Sequence, residues 1–234
     1  MELNQGMLYT NDNCIGCNRC IAVCPVAGAN VAGNLEGGSF IQVADEKCLH
    51  CGACLEACRH NARECMDDTE TFLAALDRGE HISMIVDPSF FMVCADRAYQ
   101  ILGYLRSLGV HMFYDGGYGG DINNWACLAY LREHPMEGAI ASHCGAVINY
   151  IKKYSKPLQE KLLPINPPFL SLAVYIQKYL HNTDKLAYLG NCPAMSDELA
   201  LPENREFVQY NINFSKLWAR IRRLDLTEYS ASVE

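Results

Sequence analysis

No stretch of the sequence stays apolar for the roughly 20 residues that a membrane-spanning helix requires; the longest apolar runs fall within residues 83–95 and 170–176. The opening Met1-Glu2-Leu3-Asn4-Gln5-Gly6 has neither the basic start nor the apolar core of a targeting peptide. A cytoplasmic location is therefore expected, with no membrane span. Positive charge is also scarce: 19 Lys and Arg stand against 27 Asp and Glu, a net charge of −8. With no basic run and no interleaved aromatic platform, nucleic acid is excluded as the main partner. A nucleotide phosphate loop is missing too. Gly116-Gly117-Tyr118-Gly119-Gly120 lacks both the Lys-Ser/Thr ending and the G-x-G-x-x-G spacing.

Cysteine, by contrast, is abundant, with 13 residues in 234. Eight of them form two copies of one pattern. Cys14, Cys17, Cys20 and Cys24 read C-x-x-C-x-x-C-x-x-x-C and are followed by Pro25; Cys48, Cys51, Cys54 and Cys58 repeat the spacing, with Arg59 in the proline position. Three thiols two residues apart, plus a fourth from the other run, wrap a 4Fe–4S cube in two-cluster ferredoxins. This spacing predicts one cluster on Cys14, Cys17, Cys20 and Cys58 and a second on Cys48, Cys51, Cys54 and Cys24. Zinc knuckles do not need the third evenly spaced cysteine. A disulfide framework needs an oxidising compartment, whereas an odd cysteine count with eight in cluster spacing argues for a reducing one. Cys65 fits neither ligand set and is expected to be a buried thiol.

Short strands at residues 7–10 and 40–43 precede the two runs, with residues 27–39 read as a loop between the halves. From residue 68 the pattern changes to alternating strands and helices. Strands are expected at 81–87, 110–114, 138–142, 185–189 and 206–210. Helices are expected at about 72–76 (with Asp67, Asp68 or Thr69 near its cap), 95–108, 121–133, 145–154, 169–180 and 214–223. Such alternation implies a mainly parallel sheet covered on both faces. The predicted fold is an α+β ferredoxin-like domain over residues 1–67 followed by an α/β domain over 68–234. Sites in α/β domains sit at the carboxyl ends of strands. Ser142-His143-Cys144-Gly145 and Gly190-Asn191-Cys192-Pro193 follow two of the expected strands. Cys144 and Cys192 could there share a metal cluster or be ordinary core cysteines; spacing alone leaves both open.

The order of features resembles the iron-only (FeFe) hydrogenases, from ferredoxin module into catalytic domain. Residues 48–72 look like the accessory-cluster segment of hydrogenase-like sensory proteins. Val86-Asp87-Pro88-Ser89 and the turn Phe113 to Asp121 resemble family landmarks. Ala141-Ser142-His143-Cys144-Gly145-Ala146 falls on the first cysteine signature, and Gly190-Asn191-Cys192-Pro193-Ala194-Met195 on the second. The resemblance implies that Cys144 and Cys192 are ligands of a third cube. It also implies that the proton-relay cysteine is replaced by His143 and the cyanide-contacting lysine by Met195. The proton-path glutamates fall at or near Ala126 and Cys127, and the path serine near Pro167. No Glu-x-Met-x-Cys-x-x-x-Cys third signature occurs, so a di-iron centre is not expected.

A third 4Fe–4S cube remains open if His143, Cys94, Cys127 or a partner chain completes its shell. The expectation is an iron–sulfur redox protein, closest to the sensory and non-catalytic relatives, transferring electrons or sensing without H2 turnover. The alternative is an active hydrogenase subunit or fragment completed by another chain. Leu224 to Tyr229 looks like the point where sensory relatives pass into further cluster-binding, sensing and output domains, and Ser230 to Glu234 carries none of these. A redox protein partner or an output domain is therefore expected, with the oligomeric state open.

Overall fold

A computed structural model describes residues 6–35 and 38–234. Met1 to Gln5 of the opening stretch, and residues 36–37 of the expected loop, lie outside the described residues. In chain order the first elements are β1 (Leu8–Thr10), α1 (Arg19–Ala22), β2 (Asn30–Leu35), β3 (Gly38–Val43), α2 (Ala53–Ala57) and β4 (Arg63–Cys65). Then come α3 (Thr69–Asp77), β5 (Ile82–Val86), α4 (Pro88–Cys94), α5 (Ala98–Ser107), β6 (Val110–Asp115), α6 (Gly117–Glu133) and α7 (Gly145–Tyr154). The last are α8 (Pro168–Lys178), β7 (Lys185–Gly190), α9 (Met195–Ala200), α10 (Pro202–Arg205), β8 (Tyr210–Asn213) and α11 (Phe214–Ile221). Among the described residues, no helix is long and apolar enough to cross a membrane.

The chain forms two compact units. The first comprises Met1–Met66 together with Cys144–Glu160 and Cys192–Glu198; the second comprises Asp67–His143, Lys161–Asn191 and Leu199–Glu234. In the first, β1 pairs antiparallel with β4 and β2 with β3. In the second, four strands form an all-parallel sheet in the order β6-β5-β7-β8. The fold class is thus ferredoxin-like α+β followed by α/β. Every residue of β5, Ile-Ser-Met-Ile-Val, is fully buried, as a central strand of a doubly covered parallel sheet must be. Ile101, Leu102 and Leu105 give α5 one apolar face, and they pack with Phe72, Phe90 and Phe113 in the core of this unit.

Several elements differ from the sequence expectation, each for a reason visible in its partners. Residues 30–35 are not a loop: β2 matches β3 residue for residue from Asn30↔Val43 to Leu35↔Gly38, so its backbone groups are met by a ladder. Pro88 starts a helix instead of closing a strand. Asp87 accepts the Ser89 amide at 2.8 Å, and proline at the first helical position needs no donor. The helix expected over 95–108 is a 3₁₀ turn at Ala95–Arg97 followed by α5, with Ala95 at φ 40° where α4 stops. Asp68 occupies the cap position of α3 without capping it; its carboxylate accepts from Arg205 and from the Asn211 amide.

The glycine-rich turn is helical from Gly117, and Gly119 lets α6 pass close to the Pro168 carbonyl of α8, which a side chain there would strike. Residues 138–142 form no sheet strand; Ile140 makes an isolated bridge to Leu162 instead. The last strand begins at Tyr210 rather than 206, because α10 and a turn occupy the chain up to residue 207.

Candidate metal centres

The two cysteine runs have the same backbone. In each, the residues two and four places after the first cysteine are left-handed: Gly16 (φ 69°) and Asn18 (φ 63°) in the first, His50 (φ 56°) and Gly52 (φ 82°) in the second. Left-handed residues interleaved in this way turn successive N–H groups into one concavity, the kind of nest that surrounds anionic groups. A short helix lies between the second and fourth cysteines of each run and buries the third, Cys20 in α1 and Cys54 in α2. The second cysteines, Cys17 and Cys51, are exposed in both.

The thiols sort into two cavities. Cys14, Cys17, Cys20 and Cys58 line one, with Ile15, Thr10, Ile41, Arg19 and Arg63. Cys24, Cys48, Cys51 and Cys54 line another, with Leu8, Pro25 and Asn30. The fourth cysteine of each run stands in the cavity of the other. Among the described residues, no three His, Cys, Asp or Glu side chains converge tightly enough to hold a single ion. The thiols surround volumes, whereas zinc would draw its sulfurs to about 2.3 Å of one point. Cys65 lies in β4 opposite Leu8, buried among apolar neighbours.

Hydrogen bonds reach several sulfurs. The amides of His50 and Ala62 donate to Cys48 Sγ (3.4 Å) and Cys58 Sγ (3.3 Å), and Arg63 Nη2 donates to Cys20 Sγ (3.3 Å). Burial pushes the thiols of Cys48 and Cys54 up to about 11, against the Arg63 charge in the case of Cys54. Cys58 goes the other way: burial raises it, but backbone N–H groups of Ala62, His60 and Arg63 outweigh burial and hold its thiol below the usual range. A metal that demands thiolates must displace the protons these buried groups retain. The donor set fits an iron–sulfur cluster in each cavity. So does one orphan: Arg63 Nη1 is buried without a hydrogen-bond partner at the first cavity.

Two distant segments belong to the same unit because they bind the second run. His50 is buried; its Nδ1 lies 2.7 Å from Asp197 Oδ2 and its Nε2 2.9 Å from Asp45 Oδ1. Burial disfavours a charged ring, but the two carboxylates prevail and raise its pKa. From α7, Asn149 donates to Asp197 Oδ2 (2.6 Å) and to the Leu49 carbonyl (3.2 Å), and Lys153 donates to the Cys48 carbonyl (2.6 Å). Gly145 lets α7 approach the Ala194 carbonyl, which would stand 2.5 Å from an added Cβ.

Cys144 and Cys192 fall in this unit and both are exposed, Cys144 at the start of α7 and Cys192 two residues after β7. With no strand at 138–142, Cys144 does not sit at a sheet strand's end. The other candidates belong to the second unit. Cys94 packs against its apolar core, where burial pushes the thiol up to about 11. Cys127 is buried, 3.5 Å from Asn123 Oδ1, and the same oxygen meets His143 Nε2.

Arg63, Asn30, His50 and Asp197 were not singled out from sequence. One signal existed: an alternating strand that buries Cys65 must bury Arg63 as well.

Two thiol-lined cavities in a pseudo-symmetric α+β unit, joined to an α/β unit, define an iron–sulfur protein with a ferredoxin-like region. Residues 6–59 match the family described as a 4Fe-4S dicluster domain, and residues 81–232 match the iron only hydrogenase large subunit, C-terminal domain. The chain belongs to the iron-only hydrogenase large-subunit family.

Solved FeFe-hydrogenase structures share the fold. One, reporting stepwise assembly of the H-cluster, aligns with TM-score 0.57 at 17% identity, covering 72% of this chain and 50% of its own. A second, on oxygen inactivation through degradation of the H-cluster 2Fe subcluster, gives 0.56 at 17%, covering 72% and 52%. A variant enzyme from Chlamydomonas reinhardtii gives 0.58 at 18%, covering 72% and 51%. The chain thus spans about half the length of these enzymes. No curated protein matches it.

Proposed function

We propose that this chain is a hydrogenase-like electron-transfer module, carrying two 4Fe–4S clusters and performing no H2 catalysis, with residues 1–67 as its cluster domain. The observation that supports it most is the sorting of eight cysteines: Cys14, Cys17, Cys20 and Cys58 around one cavity, Cys48, Cys51, Cys54 and Cys24 around the other. A bound 4Fe–4S cluster accepts and releases single electrons. The protein supplies thiolates, N–H donors to their sulfurs, and one exposed thiol per cavity. Exposed Ile15 beside Cys17 offers a redox partner protein or output domain a short route to the first cluster.

The absence of catalysis rests on the side chains at the positions that the resemblance assigns to proton and cyanide handling. Met195 has no proton to donate. His143 is engaged by Asn123, and Cys127 is a buried thiol against the same residue. A second reading, a hydrogenase subunit completed by another chain, is favoured by the exposure of Cys144 and Cys192, which leaves both thiols open to further ligands.

Anaerobic reconstitution followed by a reductive EPR titration is expected to show two one-electron 4Fe–4S signals and, after maturation, no H2 evolution above background. Hydrogen turnover overturns the non-catalytic reading in favour of the second, and clusters silent to reduction overturn electron transfer.

A further inference from the structure

A buried guanidinium needs a counter-charge, because an unpaired ion inside a protein costs several kcal/mol of lost solvation. Arg63 is only 6% exposed. It is absent from the ion pairs formed by the described residues. Its neighbour Glu64, on the opposite face of β4, is occupied by Tyr9 and Asn11. The strand ladder fixes Arg63 opposite Thr10. From there Nη2 reaches Asn30 Oδ1 at 2.5 Å and Cys20 Sγ at 3.3 Å, while Nη1 is buried with no partner. Asn30 is itself buried and anchored by donating to the Cys20 carbonyl at 3.2 Å. The fork is therefore held at the wall of the cavity lined by Cys14, Cys17, Cys20 and Cys58. Among the described residues that line this cavity there is no carboxylate, and a second cation, Arg19, lines it too; a negatively charged group bound by the thiols would supply the missing counter-charge.

We propose that Arg63 is the built-in counter-charge of the cluster held by Cys14, Cys17, Cys20 and Cys58, positioned by Asn30 to raise that cluster's reduction potential, with a weaker effect on the second cluster. The inference rests on the two-cluster reading above. Adding an electron to the cavity adds negative charge beside a fixed cation, so the reduced form gains more than the oxidised one. Hydrogen bonds to the sulfurs and local charge are known determinants of cluster potential. Arginine keeps its charge at any working pH, so the effect is permanent. The inequality follows from geometry: Arg63 hydrogen-bonds a sulfur of the first cavity, and the second cavity's lining does not include it.

The test is an EPR-monitored potentiometric titration of the reconstituted full chain, with the first cluster identified as the signal lost in Cys58→Ser. In Arg63→Gln the ratio of reduced to oxidised first cluster, at fixed potential, is expected to fall at least tenfold. For a one-electron couple that is a downward shift of about 59 mV. The second cluster should shift less, and Arg63→Lys should recover part of the loss. Unchanged potentials in a fully loaded Arg63→Gln overturn the proposal, as does an equal shift of both clusters. Should Arg63→Gln fail to load, Asn30→Ala removes the acceptor that holds the guanidinium without adding charge and is expected to lower the first potential; a loaded Asn30→Ala at the original potential overturns the proposal equally. Iron content separates the two levels of inference. A wild-type protein with fewer than two cubes overturns the two-cluster reading and this inference with it, whereas full loading with unmoved potentials overturns only the role of Arg63.

Discussion

The first unit packs Leu8, Ile41 and Val43 around Cys20, Cys48, Cys54 and Cys65, whereas the second packs phenylalanine, isoleucine and leucine on a parallel sheet. Three of the four cysteines in the first core also line the cavities. Apolar side chains contribute on burial alone, about 1.5–3 kcal/mol for each large one. A thiol that must become a charged ligand contributes only when its metal is present. On the two-cluster reading proposed above, the difference teaches that one chain can hold a unit whose folding is conditional beside one whose folding is not.

The largest expected effect separates them outright. An iron chelator under reducing conditions should abolish visible absorbance and amide protection in residues 6–66 while the strands of the second sheet stay protected in hydrogen exchange; simultaneous loss in both would break the comparison. Next, Cys58→Ser should remove about half of the bound iron, one cube of two, whereas Cys65→Ser, altering a core thiol away from both cavities, should leave iron content unchanged. On the other side, Leu102→Ala in the apolar core should cost about 2–5 kcal/mol in denaturant unfolding of the second unit, with iron content intact.

The smallest effect concerns Glu80, whose carboxyl is held down to about 2 by hydrogen bonds from Lys185, Arg78 and Tyr210. Because its folded pKa lies below the ordinary value, the stabilisation is full above about 4.5 and fades as pH falls toward about 2. The melting temperature of Glu80→Gln should therefore lie slightly below wild type at neutral pH and converge with it in acid, at unchanged iron content.

The cysteine runs and most sheet strands were legible because their signals are local: a fixed spacing in one case, continuous apolar runs such as Ile82–Val86 in the other. The fold class followed from the alternation of elements. What escaped depended on partners far along the chain. Arg63 shares the buried face of β4 with Cys65, but its role depends on Asn30 and the cavity wall, which lie far along the chain. Residues 30–35 read as a loop because their polar, small side chains hide a strand that only its ladder to β3 defines. Residues 138–142 had strand composition, but their bridge goes to Leu162 outside the main sheet. At the candidate site, the sequence displayed Cys144 and Cys192, but nothing local said that their segments share a compact unit with the cysteine runs.

The buried His50 also sets a timetable. Its partner Asp197 is 147 residues further on. At about 5–20 residues per second of synthesis, a ribosome takes roughly 7 to 30 seconds to deliver that carboxylate after the histidine has emerged. During that interval the second cysteine run exists as a nascent segment lacking the Asp197 contact, while Asn149 and Lys153 arrive partway through it. The packing around this loop is thus completed only after the segment carrying Asp197 has emerged.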